Sequence, residues 1–328
     1  MRILIVTGND ADTKSMHQLT LAMIEKIKES SKGLEVLSIF ADDQNLDGEL
    51  KKADILISTS LAVLNSENSK NLKWVHITSA GTNKLPEFVK SSNILITNSS
   101  GVHPIPISEH VFAFMLMLSR KINLAHRFAI EKKGWVRNYG IYQPGEIFGK
   151  KLLIVGMGRI GERIAEIGRA FGMEVAGVVR DLNKKRDVKV KLYEIKDLKT
   201  AVKDADFIVN ALPGTSYTKG IFDLKLFKRF KSSAYFINIG RGTSVVEEDL
   251  VQALKMKIIA GAGLDVFEIE PLPESSELWD LENGIITPHY SGWTPKYTDR
   301  VIDIFIENLK AYFKKETMPN LVNKELGY

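Results

Sequence analysis

The stretch "KLLIVGMGRIGERIAEIGRAF" at 151–171 limits the fold more than any other in this 328-residue chain. An apolar run ends at Gly156-x-Gly158-x-x-Gly161 and gives way to Ile160, Ile164, Ile167 and Phe171 at helical spacing. A strand that turns on glycines into a helix reads as a dinucleotide-binding turn. The first glycine permits the tight turn, the second lets backbone approach a pyrophosphate, and the third lets helix and strand pack closely. The positive end of the helix dipole falls at Arg159, Ile160 and Gly161, so these positions and the two earlier glycines are the expected phosphate cradle.

Strand-like and helix-like pieces alternate on both sides of this turn. Before it come "RILIV", a helix with Met16, Leu19, Met23, Ile24 and Ile27 on one face, then "EVLSIF", "DILIST", "KWVHIT" and "NILIT". After it come "EVAGVV", "DFIVNAL", "AYFINI" and "IIAGAGLDVF". Such alternation predicts parallel α/β sheets, and the length predicts two domains. A helical pattern from Ile107 to about Glu131 is apolar on nearly every side early on, as in a helix buried between domains or subunits. A last helix, about Pro295 to Lys315, carries Tyr297, Val301, Ile304, Phe305, Leu309 and Tyr312 on one stripe. It needs a core to cover, and the first domain lacks a late helix. The expected division is therefore 1–101 with 290–328, and 102–289.

The chain contains no cysteine, which excludes disulfides, thiolate catalysis and cysteine-ligated metal, so redox chemistry must come from a cofactor. The densest apolar run, "VFAFMLML" at 111–118, is too short for a bilayer, and "MRILIV" reads as a strand and not a signal peptide. A cytoplasmic protein without membrane attachment is expected. Net charge is +5, but the lysines are scattered and no nucleic-acid-binding module accompanies them. His17, His76, His110 and His126 read as surface or packing residues, and no metal site is expected.

Three later stretches add specificity: "NIGRGTSVVEEDLVQAL" at 238–254, "GAGLDVFEIEPLP" at 261–273 and "ITPHYSGWTP" at 286–295. With "HITSAGTNKL" at 76–85 and "ITNSSGVHPIPISEHV" at 96–111, they resemble the D-isomer-specific 2-hydroxyacid dehydrogenases over nearly the whole chain. The resemblance implies two Rossmann-like or flavodoxin-like parallel-sheet domains with an active-site cleft between them, 1–101 and 290–328 binding substrate and 102–289 binding the dinucleotide. It also implies a homodimer built through the cofactor domains, with the apolar helix near 107–118 as the natural contact. In the family the arginine of "GRG", the glutamate of "LDVFxxEP" and the histidine of "TPHxSG" form the catalytic group, matching Arg241, Glu270 and His289.

The chemistry suits these residue types. A guanidinium fork holds a carboxylate at two points and orients the neighbouring carbonyl. A protonated histidine donates to the oxygen that gains charge as hydride arrives, and a carboxylate keeps that histidine charged and aimed. The resemblance further assigns Asp265 to the nicotinamide carboxamide, Ser79, Ala80 and Gly81 to the substrate carboxylate, and Pro213 and Thr218 to the adenosine side of the cofactor. His103 stands where the formate-dehydrogenase branch has asparagine, which counts against formate. Trp135, Trp293 and Tyr297 are candidates for the pocket, a subunit contact or the core.

The family's NAD users commonly end the second strand of this domain with an acid for the ribose. Here that place holds Val179, followed by Arg180, with Lys184, Lys185 and Arg186 beyond. Asp181 lies two strand residues on, a displacement of about 6–7 Å. The missing acid and the cation at Arg180 predict NADP(H), with NAD(H) as the alternative. A cofactor-sensing regulatory protein is the rival to an enzyme, opposed by the presence of Arg241, Glu270 and His289.

Overall fold

The computed structural model describes residues 1–8, 21–31, 33–81, 85–135, 137–183, 186 and 188–325. Met16, His17, Leu19, Lys184 and Lys185 lie outside them. In chain order the elements are β1 (Arg2–Thr7), α1 (Leu21–Ser30), β2 (Glu35–Phe40), α2 (Leu46–Leu50), β3 (Ile55–Ser58), β4 (Trp74–Ile77), α3 (Glu87–Lys90) and β5 (Leu95–Asn98). They continue with α4 (Pro104–Arg120), α5 (Ile122–Lys132), α6 (Tyr139–Tyr142), β6 (Lys151–Val155), α7 (Arg159–Ala170), β7 (Glu174–Val179), β8 (Lys191–Glu194) and α8 (Leu198–Ala201). The last are β9 (Phe207–Asn210), α9 (Leu224–Phe227), β10 (Tyr235–Asn238), α10 (Glu247–Lys255), β11 (Gly261–Leu264), β12 (Gly284–Ile286) and α11 (Tyr297–Lys314). The chain divides into two compact units, Met1–His103 with Trp293–Tyr328, and Pro104–Gly292.

The smaller unit is built on a five-stranded sheet in the order β2-β1-β3-β4-β5, and each strand pair is parallel. Side chains alternate across it. Leu4 and Val6 enter the core on one face, while Ile3 and Ile5 enter the other with Trp74, Phe305 and Leu309. The late helix α11 supplies Phe305 and Leu309, so the C-terminal stripe covers this sheet. Fully burying each such aliphatic or aromatic side chain contributes about 1.5–3 kcal/mol, which explains why the chain returns here.

The larger unit carries a seven-stranded parallel sheet in the order β12-β11-β10-β9-β6-β7-β8. Strand order reverses at β6, which makes the carboxyl edge beside β6 and β9 the ligand-binding crevice of an open α/β sheet. The helices α4 and α7 pack closely on this sheet where glycines leave room: a Cβ on Gly263 of β11 would come within 2.6 Å of the Phe114 ring of α4, and one on Gly168 of α7 within 2.9 Å of Leu152 of β6.

Two expectations change here. The long helix from Ile107 to about Glu131 is broken at Lys121, whose φ of +60° ends α4 and starts α5. The apolar residues Val111, Phe112, Phe114, Met115 and Leu118 are buried in the core of their own unit, so they are not a free face for a partner. The exposed apolar side chains come next along the chain: Ile122, Ile130 and Trp135, with no buried residue in α5 at all.

Candidate active site

The glycine turn after β6 behaves as three different glycines. Gly156 has φ +109°, and a Cβ there would lie 2.7 Å from the Ala211 carbonyl oxygen. Gly161 is closed for another reason, since its Cβ would sit 2.2 Å from the Gly156 oxygen. Gly158 meets nothing within 4 Å, leaving open space at the N-terminus of α7, beside the backbone N–H groups of Arg159 and Ile160. That space at a helix N-terminus fits a pyrophosphate.

At the end of β7, Val179 is 4% exposed and packed in the core, so no acceptor stands there. The Asp181 carboxylate is turned into its own loop, accepting the Asn183 N–H at 2.8 Å. Arg186 bridges this loop to the glycine turn: its guanidinium donates to the Asp181 carbonyl at 3.0 Å and to the Met157 carbonyl at 3.4 Å. Arg180 is exposed at the strand end. The edge of the crevice is thus cationic. After β9, Thr218 Oγ1 donates to the Pro213 carbonyl at 2.7 Å and accepts the Thr215 N–H at 2.9 Å. The Thr218 hydroxyl therefore shapes the loop that presents Pro213.

Arg241 follows β10 on the same carboxyl edge. Its head group donates to the Gly240 carbonyl at 2.7 Å, and the residue is exposed. A buried network holds its loop. Asn210 Nδ2 donates to Asn238 Oδ1 at 2.8 Å and to Ser244 Oγ at 2.6 Å, Asn238 Oδ1 also accepts the Gly240 N–H at 3.2 Å, and Ser244 Oγ donates to the Arg241 carbonyl at 2.6 Å. Sequence reasoning missed these three residues; the signal was an asparagine ending each of two otherwise apolar strands. Gly242 must lack a side chain, because a Cβ would fall 1.8 Å from the Phe267 backbone.

Glu270 and His289 meet. The imidazole Nδ1 lies 2.6 Å from Glu270 Oε2, while Glu270 Oε1 accepts the Phe267 N–H at 2.9 Å. An ionised carboxylate offers acceptors alone, so Nδ1 carries a proton and Nε2 remains for another partner. The two side chains are 50% and 35% exposed, open enough for a substrate to reach. His289 has φ +51°, a left-handed backbone that costs a non-glycine residue about 1–2 kcal/mol. Asp265 stands at the centre of this corner: fully buried, it accepts from Thr287 Oγ1 at 2.6 Å and from the Tyr290 and Ser291 N–H groups at 3.1 Å each. Arg241, Asp265, Glu270 and His289 thus follow three adjacent strands, β10, β11 and β12, at one edge of one sheet.

In the smaller unit, Ser79, Ala80 and Gly81 form the turn after β4, with Ser79 Oγ donating to the Gly81 carbonyl at 2.7 Å. Tyr297 is a core residue there. It is 2% exposed, its hydroxyl donates to the Thr78 carbonyl at 2.9 Å, and its ring lies 5.4 Å from that of His103. Trp135 and Trp293 are exposed. Among the described residues, no cluster of His, Asp and Glu is placed to hold a metal ion, and no helix is long and apolar enough to cross a membrane.

Comparison with known proteins agrees with this geometry. The family model described as D-isomer specific 2-hydroxyacid dehydrogenase, NAD binding domain, matches residues 112–291. A glyoxylate reductase of Pyrococcus furiosus is 33% identical over 266 residues, 79% of this chain and 78% of that protein. The crystal structure of a D-isomer specific 2-hydroxyacid dehydrogenase family protein from Aeromonas salmonicida subsp. salmonicida A449 superposes with a TM-score of 0.78 at 30% identity, covering 98% of this chain and 99% of that one. An acyclic imino acid reductase in complex with NADPH and D-Arg superposes with a TM-score of 0.75 at 26% identity, covering 98% of this chain and 100% of that one. With a glycine-turn crevice and the Glu270–His289 pair on one sheet edge, and with this extent of matching, the chain belongs to the D-isomer specific 2-hydroxyacid dehydrogenases, NAD(P)-dependent oxidoreductases of 2-oxo and 2-hydroxy acids.

Proposed function

We propose that this chain interconverts small 2-oxo acids and D-2-hydroxy acids with NADP(H) in preference to NAD(H), using Arg241, Glu270 and His289. The observation that carries the reading is the His289 Nδ1 held 2.6 Å from Glu270, with Nε2 left for substrate. Arg241 binds the substrate carboxylate through its guanidinium fork and orients the 2-oxo group. His289 gives its Nε2 proton to the carbonyl oxygen as that oxygen becomes an alkoxide, and Glu270 stabilises the imidazolium beforehand. Bound in reduced form, the nicotinamide supplies the hydride. Ser79, Ala80 and Gly81 offer backbone N–H groups to the carboxylate, and Asp265 faces the carboxamide. Gly156, Gly158, Arg159, Ile160 and Gly161 take the pyrophosphate, and Pro213 with Thr218 flanks the adenosine.

Two findings support NADP(H): Val179 lies in the core where an acid would read the ribose, and the edge carries Arg180 with Arg186 held against the glycine turn. The NADPH complex of the imino acid reductase points the same way. The glyoxylate reductase from Pyrococcus furiosus favours a short 2-oxo acid and disfavours a purely regulatory role. We also propose a cytoplasmic homodimer, its contact made by the exposed Ile122, Ile130 and Trp135 instead of α4.

The test is a panel of 2-oxo acids with each cofactor. Wild type favours NADPH, and Val179→Asp/Arg180→Ala shifts the preference toward NADH. Arg241→Lys loses the bidentate geometry and lowers kcat/KM about 10–1,000-fold with cofactor affinity little changed. A wild type that prefers NADH overturns the cofactor assignment, and near-native turnover in Arg241→Lys overturns the carboxylate assignment.

A further inference from the structure

We infer that His110, on α4, is a positioning residue for the catalytic loop: acting through Thr287, it locks Asp265 in the orientation that holds His289 at its left-handed backbone angle. This rests on the proposed role of His289 as proton donor. His110 lies 177 residues from Thr287 in sequence and has no place in the reaction described above.

His289 has φ +51° and cannot keep it without restraint on both sides. On the near side, the His289 N–H donates to the Thr287 carbonyl at 3.0 Å, and the Thr287 N–H donates to the Leu264 carbonyl at 2.9 Å. On the far side, the next two N–H groups, of Tyr290 and Ser291, both donate to the Asp265 carboxylate at 3.1 Å. Asp265 therefore grips the loop beyond His289, and its own orientation decides whether both bonds form at once.

What fixes Asp265 is the Thr287 hydroxyl, 2.6 Å from Oδ1. That hydroxyl has one proton, and the carboxylate takes it. The Thr287 oxygen is then an acceptor for His110 Nε2 at 3.0 Å, which makes Nε2–H the donor and sets the imidazole tautomer. His110 is itself held. Its ring stands edge-on to Phe114 at 4.5 Å and to Tyr290 at 5.3 Å, with 14% of the side chain exposed. Phe114 in turn fits where Gly263 has no side chain, so α4 brings His110 over the ends of β11 and β12.

The groups facing His110 settle the sign of its pH dependence. From the segment after β11 comes Asp265, with Oδ1 3.9 Å from Nε2; from the segment after β12 come Thr287 and the titratable Tyr290; from its own helix comes Phe114. Burial lowers the His110 pKa, opposed by the Asp265 charge, so the neutral donor form prevails at neutral pH. Protonation in acid places a full charge beside Asp265 Oδ1 and competes with the loop N–H groups for the carboxylate. Reduction, which gains from a protonated His289 as pH falls, then loses rate again at the acid end.

The experiment compares wild type, His110→Phe, His110→Gln, Thr287→Val and His289→Ala. It reads kcat and KM for the best 2-oxo acid from pH 5 to 9, and amide hydrogen exchange of segment 287–291 in the cofactor-free protein. We expect His110→Phe and Thr287→Val each to lower kcat about 10-fold, with KM changed by less than about 3-fold and exchange at Tyr290 and Ser291 about 10-fold faster. His110→Gln, whose amide still donates, restores kcat and protection to within about 3-fold and removes the loss of rate at the acid end. Wild-type kcat and exchange in His110→Phe overturn the inference, as do equal defects in His110→Phe and His110→Gln, which would mean packing alone. Should His110→Phe fail to fold, the near-isosteric Thr287→Val decides by the same two readouts. Turnover surviving in His289→Ala overturns the reading of His289 itself; an inactive His289→Ala beside a fully native His110→Phe overturns the positioning role alone.

Discussion

Among the described residues, each unit buries one titratable side chain completely at its sheet, and the two are used in opposite ways. In the smaller unit His76 lies in β4 with Nδ1 2.7 Å from Thr97 Oγ1 and Nε2 3.1 Å from Ser99 Oγ, its ring edge-on to those of Trp74 and Phe305. Its partners are side chains from the neighbouring strand and the turn after it, and burial pushes its pKa down to about 3, so it stays neutral. In the larger unit Asp265 spends two of its three hydrogen bonds on backbone N–H groups of the loop that carries His289. A neutral imidazole has one donor and one acceptor, and two hydroxyls satisfy it without reference to anything outside. A carboxylate needs several donors, and taking them from a loop ties the shape of that loop to the core. Burial with partners inside the sheet gives stability; burial with partners on a loop transmits geometry to a site.

Replacing Asp265 tests this difference with the largest effect. Asp265→Asn keeps the volume but turns one acceptor into an N–H donor, which then faces either the Thr287 hydroxyl and the Tyr290 N–H, both on Oδ1, or the Ser291 N–H on Oδ2. We expect kcat to fall about 10–100-fold and stability to drop by about 1–3 kcal/mol, since a buried donor is left without an acceptor. Steady-state kinetics beside urea unfolding measure both. A variant that loses stability but keeps kcat would make Asp265 a second His76.

Glu270 offers a finer contrast, because it is also held by a backbone N–H, that of Phe267, yet it remains partly exposed. On the proposed mechanism, reduction draws its proton from His289 and oxidation of the hydroxy acid returns one to it. The reductive rate should therefore fall, and the oxidative rate rise, as pH increases. Glu270→Gln removes the anion that favours the imidazolium, and both pH–rate curves move toward acid by about one pH unit. Superimposable profiles for Glu270→Gln and wild type would leave the carboxylate with a purely geometric role.

The same contrast explains what was readable in the sequence. Apolar runs announced the buried strands, and the glycine spacing announced the crevice, because backbone geometry there allows few residue types. The strands β8, "KLYE", and β12, three residues long, gave no apolar run; one is a polar edge and the other is too short to show a period. The break at Lys121 carried no glycine or proline. The Asn210–Asn238–Ser244 network and the His110–Thr287–Asp265 chain join residues 22 to 177 positions apart, so no local pattern records them. Local rules find the scaffold, while the polar groups that aim its loops appear only once the strands are side by side.

The smallest effect on activity belongs to His76, whose role concerns stability alone. Its folded pKa of about 3 lies below the ordinary value of 6.5, so between those limits the unfolded chain binds a proton that the folded unit refuses. By linkage this contribution is complete above about pH 6.5 and is lost as pH falls, at up to about 1.4 kcal/mol per pH unit, or about 2–3 kcal/mol by pH 4.5. Trp74, stacked on Phe305 at 5.1 Å, reports on the same core, so the urea midpoint of its fluorescence should fall between pH 7 and pH 4.5. His76→Phe removes the titration. It costs some stability at pH 7, because the Thr97 and Ser99 hydroxyls lose a partner, but it should flatten the dependence on pH and leave kcat unchanged. If the midpoint of His76→Phe fell with pH as steeply as that of wild type, the acid sensitivity would belong to other groups. If kcat fell instead, His76 would be transmitting geometry as Asp265 does, and the distinction between the two units would not hold.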